Sequence, residues 1–170
     1  MIETKNITKS YTSGSVVTPV LHEINLTVPS GEFLAIMGKS GAGKSTLLYQ
    51  MSLLDIPTSG KIILDGTDTE KFSEKERTDF RLRRLGYVFQ DYALLPELSA
   101  IENVMLPLLM LGLSKKEAIN KATAALDSVG LAHRHSNRPS QLSGGEQQRV
   151  SIARAVGQTP DILFAAEPTA

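Results

Sequence analysis

Glu32-Phe33-Leu34-Ala35-Ile36-Met37-Gly38-Lys39-Ser40-Gly41-Ala42-Gly43-Lys44-Ser45 decides the fold. Glu32 to Met37, with Gly31 ahead of it, is an apolar run of strand length. Gly38 to Ser45 fits the G-x-x-x-x-G-K-S/T phosphate loop, and Thr46 to Met51 reads as the first turns of a helix. Strand, glycine-rich loop and helix, in that order, are the context the pattern requires. Glycines let the backbone wrap closely, so that successive N–H groups turn inward as an anion nest. Lys44 adds a mobile ammonium for the β- and γ-phosphates of a nucleotide. The Ser45 hydroxyl is an oxygen ligand of the kind magnesium prefers.

A second stretch, Leu142-Ser143-Gly144-Gly145-Glu146-Gln147-Gln148-Arg149, reads as the start of another helix that can meet an anion. Ser143 is an N-cap, and Glu146 three positions on closes a capping box. Gly144 and Gly145 expose N–H groups at the positive end of the helix dipole. The stretch has no lysine to hold a polyphosphate, so it is half of a site.

A phosphate loop followed about a hundred residues later by this octapeptide resembles the ATP-binding-cassette (ABC) ATPases. The resemblance covers essentially the whole chain and implies an α/β fold. That fold is a phosphate-loop (RecA-like) core with an N-terminal antiparallel β region and an inserted α-helical subdomain. ATP would lie on Gly38, Lys39, Ser40, Gly41, Ala42, Gly43, Lys44, Ser45 and Thr46, with Tyr11 where the family stacks an aromatic on adenine. Gln90, after Leu85-Gly86-Tyr87-Val88-Phe89, matches the family's Q-loop glutamine. Glu167, before Pro168-Thr169, matches the glutamate that polarises the attacking water. Ser45 and Gln90 would ligate Mg2+, and Lys44, Gln90 and Glu167 would carry catalysis.

The resemblance also implies partners. Two such domains would pair head to tail, with Ser143, Gly144, Gly145 and Glu146 of one covering the γ-phosphate held by the other. The segment Asp91 to Glu102 would meet a membrane permease and hold the protein on the cytoplasmic face of the membrane. Lys5 to Tyr11, Asp55 to Gly60 and Val88 to Gln90 resemble the subgroup serving lipoprotein-release and macrolide-export permeases.

Composition sets wide bounds. Eighteen Lys and Arg balance eighteen Asp and Glu, so no nucleic-acid footprint is expected, and there is no cysteine. Met1 leads directly into polar, strand-like sequence, without a secretory leader. The longest apolar run, Val104 to Leu113, contains Pro107 and is too short to span a bilayer.

Along the chain, Ile24, Leu26 and Val28 alternate, and Lys61 to Leu64 runs into an Asp65-Gly66 turn. Ser73, Ser99 and Ser114 each stand three residues before a glutamate, the start signal of a helix. The helix after Ser114 places Ala118, Ala122, Ala125, Leu126 and Val129 on one face, with Gly130 as its stop. Ile162 to Ala166 reads as a final strand. The expected division is a single, incomplete ABC domain over 1–170. Its nucleotide-binding core takes 1–90 and 150–170, and its α subdomain takes 91–149. Arg77, Arg81, Arg83 and Arg84 read as a solvated helix face, and Leu106, Leu108, Leu109, Met110 and Leu111 as subdomain core. His133 and His135 read as exposed residues without a third metal ligand.

Two features set expectations against turnover. Family members have Asp immediately before the catalytic glutamate, holding magnesium through water; here that position is Ala166. Asp161 cannot replace it, because five residues of extended strand put it roughly 16 Å away. The sequence also stops at Ala170, before the family's D-loop, a further strand and a switch histidine, since His22, His133 and His135 all lie upstream. A truncated or degenerate cassette that folds poorly alone is therefore expected, its phosphate-loop strand lacking the neighbour that family members provide. Two rival readings are a non-catalytic nucleotide-binding fragment and a non-transport ABC ATPase. The second calls for a long coiled-coil insertion, and no sustained heptads lie between Ser45 and Leu142.

Overall fold

Alternating apolar and polar residues build the N-terminal sheet. Strands β1 (Ile2–Ser13), β2 (Val16–Val28), β3 (Ser59–Leu64) and β4 (Thr67–Asp68) are antiparallel, in the order β2-β1-β3-β4. Ile24 and Leu26 are half-buried and Val28 is buried, while Asn25 and Thr27 between them are exposed. Asp65 (φ 47°) and Gly66 (φ 78°) form the two-residue turn between β3 and β4, the positive φ pair that a tight hairpin requires.

β1 contains a break in its own pattern. Its buried positions run Ile2, Thr4 and then Ile7, Lys9, so the inward face changes parity at Asn6 (φ 50°). The registers with β2 and β3 both shift there. An inserted residue of this kind re-aims every side chain after it. Gly60 on β3 makes the bulge possible. A Cβ at Gly60 would stand 2.4 Å from the Asn6 carbonyl oxygen, and its φ of +92° suits only glycine.

This computed structural model describes residues 1–167 and divides into two compact units, Met1–Thr78 and Asp79–Ala170; Pro168, Thr169 and Ala170 lie outside the described residues. The first unit holds the sheet and helix α1 (Lys44–Met51), whose Leu47 and Met51 are buried, as are Ile7, Leu21, Leu53 and Leu64. Helix α2 (Glu74–Arg84) begins in the first unit and ends in the second.

The second unit pairs β5 (Leu85–Val88) with β6 (Ile162–Ala165) in parallel, with helices α3 (Ala100–Met110), α4 (Lys115–Ser128) and α5 (Gly144–Val156). Val104, Leu108, Ala118, Ala122, Leu126, Val150 and Ala153 form the centre of the helical core. Alanines on α4 and α5 let the helix backbones approach closely. All four Ser-x-x-Glu signals close as capping boxes, at Ser73–Glu76, Ser99–Glu102, Ser114–Glu117 and Ser143–Glu146. Among the described residues, no helix is long and apolar enough to cross a membrane.

Three expectations are corrected. Glu32–Met37 is not a strand: it has no regular secondary structure, and Phe33 is 92% and Met37 88% exposed. Apolar, β-favouring sequence reports fitness for a pleated, half-buried surface, and no ladder partner takes up this segment among the described residues. The helical core takes only part of the 106–111 run. Leu108 is buried, while Leu106, Leu109 and Met110 are exposed because α3 turns them away from α4 and α5. Arg77 departs from its solvated cluster. It is buried, and its guanidinium donates to the Thr69 carbonyl at 3.4 Å.

Leu108 and Met110 give a paired test of this core. Leu108→Ala leaves a cavity among α3, α4 and α5 and is expected to cost about 2–5 kcal/mol. Met110→Ala, on the exposed side of the same helix, is expected to stay within about 0.5 kcal/mol. Urea unfolding of the two variants measures the difference.

Candidate functional site

The phosphate loop lies on the surface of the first unit. Gly41 (φ 79°) and Gly43 (φ 85°) hold left-handed backbone, and Gly43 is the N-cap of α1 without any side-chain cap. No acidic residue occupies the first turn of α1. The Lys44 ammonium folds back on its own loop, donating to the carbonyls of Gly38 and Lys39, both at 2.9 Å. The loop is further closed by the Ala42 amide donating to the Lys39 carbonyl at 3.2 Å. Lys39, Ser40, Ala42 and Ser45 are exposed. Tyr11, near the end of β1 and 44% exposed, lies in the same unit, with its phenol close to the Thr46 hydroxyl.

In the second unit the parallel register brings two distant residues together. Val88 pairs with Ala165, so Gln90 and Glu167 both leave the carboxyl end of the sheet two residues later. The Gln90 amide donates to a Glu167 carboxylate oxygen at 2.8 Å. Ala166, between β6 and Glu167, donates its backbone N–H to the Val88 carbonyl at 2.9 Å, and its methyl is buried. Asp161, at the opposite end of β6, pairs with Arg84. No cluster of three or more His, Cys, Asp or Glu able to hold a metal occurs among the described residues, and His135 instead pairs with Asp127 at 2.9 Å.

The head of α5 is organised around Glu146. One of its oxygens accepts from the Ser143 N–H at 2.8 Å and from the Ser143 hydroxyl at 3.0 Å; the other accepts from Arg134 Nε at 2.8 Å. The Ser143 backbone bond, then Arg134, then the Ser143 hydroxyl lower the Glu146 pKa from 4.5 to about 2. Gly144 and Gly145 stay exposed beside this box.

Sequence reading missed four supporting residues. Arg134 has no motif, only a basic charge some distance before Glu146. Arg154, on α5, donates to the carbonyls of Tyr92 at 2.9 Å and Ala93 at 2.6 Å, pinning the two left-handed residues that follow Gln90. Asn103 ties down the next part of that segment. Buried within the apolar run of α3, it donates to the carbonyls of Leu95, Leu98 and Ser99 and accepts from the Leu95 N–H. A lone polar residue inside an apolar helix is the signal that could have found it. Asp55, which binds Tyr11, is the fourth.

The first unit thus carries a glycine-rich loop opening α1, and the second a capped glycine pair opening α5 and a parallel strand pair, the make-up of an α/β nucleotide-binding protein. The chain belongs to the ABC transporter family, whose model matches residues 21–170. It is 48% identical over 169 residues to the lipoprotein-releasing system ATP-binding protein LolD of Geobacter metallireducens, covering 99% of this chain and 75% of that one. To an ABC transporter ATP-binding protein of Bacillus subtilis, YknY, it is 47% identical over 169 residues, covering 99% and 74%. Among solved structures, the ATP-binding cassette MJ0796, a dimer in a post-hydrolysis state with ADP and Pi, matches with a TM-score of 0.95. That match is 41% identical and covers 99% of this chain and 75% of the other. The α/β cassette fold and the family expected from the motifs are those found.

The depressed Glu146 carboxyl fixes a pH dependence. A group whose folded pKa is lowered stabilises the fold above its unfolded value and loses that contribution as pH falls through the folded one. For Glu146 the window runs from 4.5 down to about 2. Glu146→Gln keeps an N3 side chain that can cap without titrating. It is expected to lose less stability than the unmodified chain across that window, measured by thermal unfolding at each pH. Equal losses would show that the box carries no titrating contribution.

Proposed function

We propose that this chain is the ATP-binding subunit of a membrane transporter, of the lipoprotein-release or macrolide-export type. The observation carrying this reading is the exposed, lysine-free glycine pair at the head of α5, in an ABC-family chain whose Lys44 loop is a separate half-site. The names of the LolD and YknY relatives and the dimeric state of MJ0796 support the transporter setting and the pairing.

In this reading Gly38 to Thr46 cradle the triphosphate, and the Lys44 ammonium exchanges its two loop carbonyls for phosphate oxygens. The loop fits such a ligand: its glycines hold left-handed backbone, and α1 begins without a side-chain cap or a first-turn acid. Tyr11 stacks on the base. Ser143, Gly144, Gly145 and Glu146 of a second copy, paired head to tail, complete the phosphate site. Residues 1–90 and 150–170 act as the nucleotide core and 91–149 as the helical arm. Its segment 91–102, pinned by Arg154 and Asn103, is the permease contact that keeps the protein at the cytoplasmic face of the membrane.

Magnesium would be held by Ser45 and Gln90, and it would supply charge neutralisation for the nucleotide's phosphates. Its protein ligands are neutral, and Ala166 adds no acceptor where an outer-sphere carboxylate would serve. Glu167 orients the attacking water, and the Gln90 amide holds that carboxylate in place. In-line positioning of this kind is the larger part of phosphoryl transfer to water. Ala166 also favours a second reading, nucleotide binding with little turnover.

ATP binding and hydrolysis by the folded chain separate these readings. Lys44→Ala is expected to weaken ATP binding by at least about 30-fold, the loss of a charged partner. Ala166→Asp is expected to raise magnesium-dependent turnover by about 10- to 100-fold, the usual weight of an outer-sphere carboxylate. Equal turnover with Ala166 and Asp would remove its role, and a folded chain that binds no nucleotide would remove the phosphate-loop assignment.

A further inference from the structure

The aromatic ring at Tyr11 is held by two residues to which the sequence reading gave no role, Asp55 and Lys9. Its hydroxyl donates to Asp55 Oδ2 at 3.0 Å, and Lys9 Nζ stands over the ring, 4.9 Å from its centroid. Asp55 is the hub. Its Oδ1 accepts from Lys9 Nζ at 2.8 Å and from the Ile56 N–H at 2.7 Å, and its Oδ2 also accepts from Gln50 Nε2 at 3.0 Å. Lys9 donates further to the Ile56 carbonyl at 2.6 Å. Lys9 is 9% exposed and Gln50 is fully buried, whereas Tyr11 remains 44% exposed.

Chain geometry makes this cluster. The bulge at Asn6 changes the parity of β1, so Lys9 turns inward, and Tyr11, two residues on, follows on the same side. Gln50 lies on α1, six residues after Lys44, so the carboxylate joins β1 to the helix that the phosphate loop opens. Burial opposes ionisation of Asp55, and the donors Lys9, Ile56 N–H, Gln50 and Tyr11 outweigh it, holding its pKa below the usual carboxylate range. Burial, followed by the bond to Asp55, raises Tyr11, while the nearby Thr46 hydroxyl acts the other way. A carboxylate with this many donors is a rigid anchor. Lys9 occupies one side of the ring, which leaves the opposite face for a planar group.

We propose that Asp55, with Lys9 and Gln50, is a positioning set that fixes the Tyr11 ring as a one-sided stacking platform for the base of the nucleotide. The set locks the ring in register with the phosphate-loop helix, so base and phosphate recognition share one rigid frame. It rests on the nucleotide reading above and deepens it. Its signature is a split: the set serves the base and leaves phosphate binding alone.

Binding of magnesium ATP and of magnesium tripolyphosphate, which has no base, by the full chain tests it. Tyr11→Ala is expected to weaken ATP binding roughly tenfold, the usual weight of one base–aromatic stack, and to leave tripolyphosphate within about twofold. Asp55→Ala is expected to reproduce most of that loss, about fivefold, with tripolyphosphate again unchanged. Adding Asp55→Ala to Tyr11→Ala is expected to cost nothing further, because the anchor then has no ring to hold. Tyr11→Phe keeps the ring and removes only its bond to Asp55; a loss confined to ATP, of about threefold, is expected even where Asp55→Ala fails to fold. Equal weakening of both ligands by Asp55→Ala assigns Asp55 to general packing and overturns the proposal. So do unchanged ATP affinity in Tyr11→Phe and additive losses in the double variant. A chain that binds tripolyphosphate, with ATP binding indifferent to Tyr11→Ala, removes the platform and keeps the phosphate loop. A folded chain that binds neither ligand removes the loop reading and the platform together.

Discussion

Every α-helix opens with N–H groups that have no partner within the helix, and the chain treats this constraint in two ways. Helices α2, α3, α4 and α5 satisfy it internally, each with a serine and a glutamate three residues later. Helix α1 starts on Gly43, in left-handed backbone, with no side-chain cap and no acid in its first turn. A side-chain cap is worth about 1 kcal/mol over alanine but only a few tenths over glycine, so Gly43 leaves α1, one of five α-helices among the described residues, uncapped at little cost. The omission leaves the first turn of α1, beginning at Lys44, without a side-chain acceptor, where a carboxylate cap would compete with a phosphate. The proposed anion site is at the helix whose first turn carries no acid.

The second organising element is the parallel register of β5 and β6. Residues about 75 apart in sequence leave the same end of a two-stranded sheet, so Gln90 meets Glu167 without any further device. The same register puts Ala166 in a buried place beside Val88 and sends Asp161 to the far end, where Arg84 takes its charge. A carboxylate missing at 166 thus cannot be replaced from within the strand. The segment after Gln90 takes its shape from elsewhere. Arg154 in the last turn of α5 holds the left-handed Tyr92 and Ala93, and Asn103 on α3 gathers 95–99, so the segment after Gln90 is tied to both helices.

What was legible in the sequence is what short-range chemistry fixes. Capping boxes, the Asp65-Gly66 turn, the glycine-rich loop and the alanine face of α4 each depend on residues a few positions apart. Local sequence was insufficient where a partner lies far away. Glu32–Met37 has the composition of a strand, but a strand exists only with a neighbour to pair with. The bulge at Asn6 needs the close approach of Gly60, more than fifty residues on, so the inward turn of Lys9 could not be read from β1 alone. Arg77 looks like one of four exposed arginines until the fold places the Thr69 carbonyl beside it. Arg134 carries no motif and Asp55 only opens a subgroup-like stretch; the roles of both come from Tyr11 and Glu146, which the chain delivers by tertiary packing.

The Ser143–Glu146 box is a structural cap that the head-to-tail proposal also asks to meet a phosphate. In the proposed head-to-tail pair, the Ser143 hydroxyl has to release Glu146 before it donates to a phosphate oxygen. The exchange is small, because Glu146 keeps its bonds to the Ser143 N–H and to Arg134. Only one hydroxyl bond is lost, worth about 1 kcal/mol net, and a bond to a charged phosphate more than offsets it. Arg134 matters for a second reason. A bare carboxylate at the head of α5 would repel an incoming triphosphate, and the guanidinium 2.8 Å away balances that charge while leaving the cap intact. The exposed glycines at 144 and 145 add no side chain beside this balanced pair.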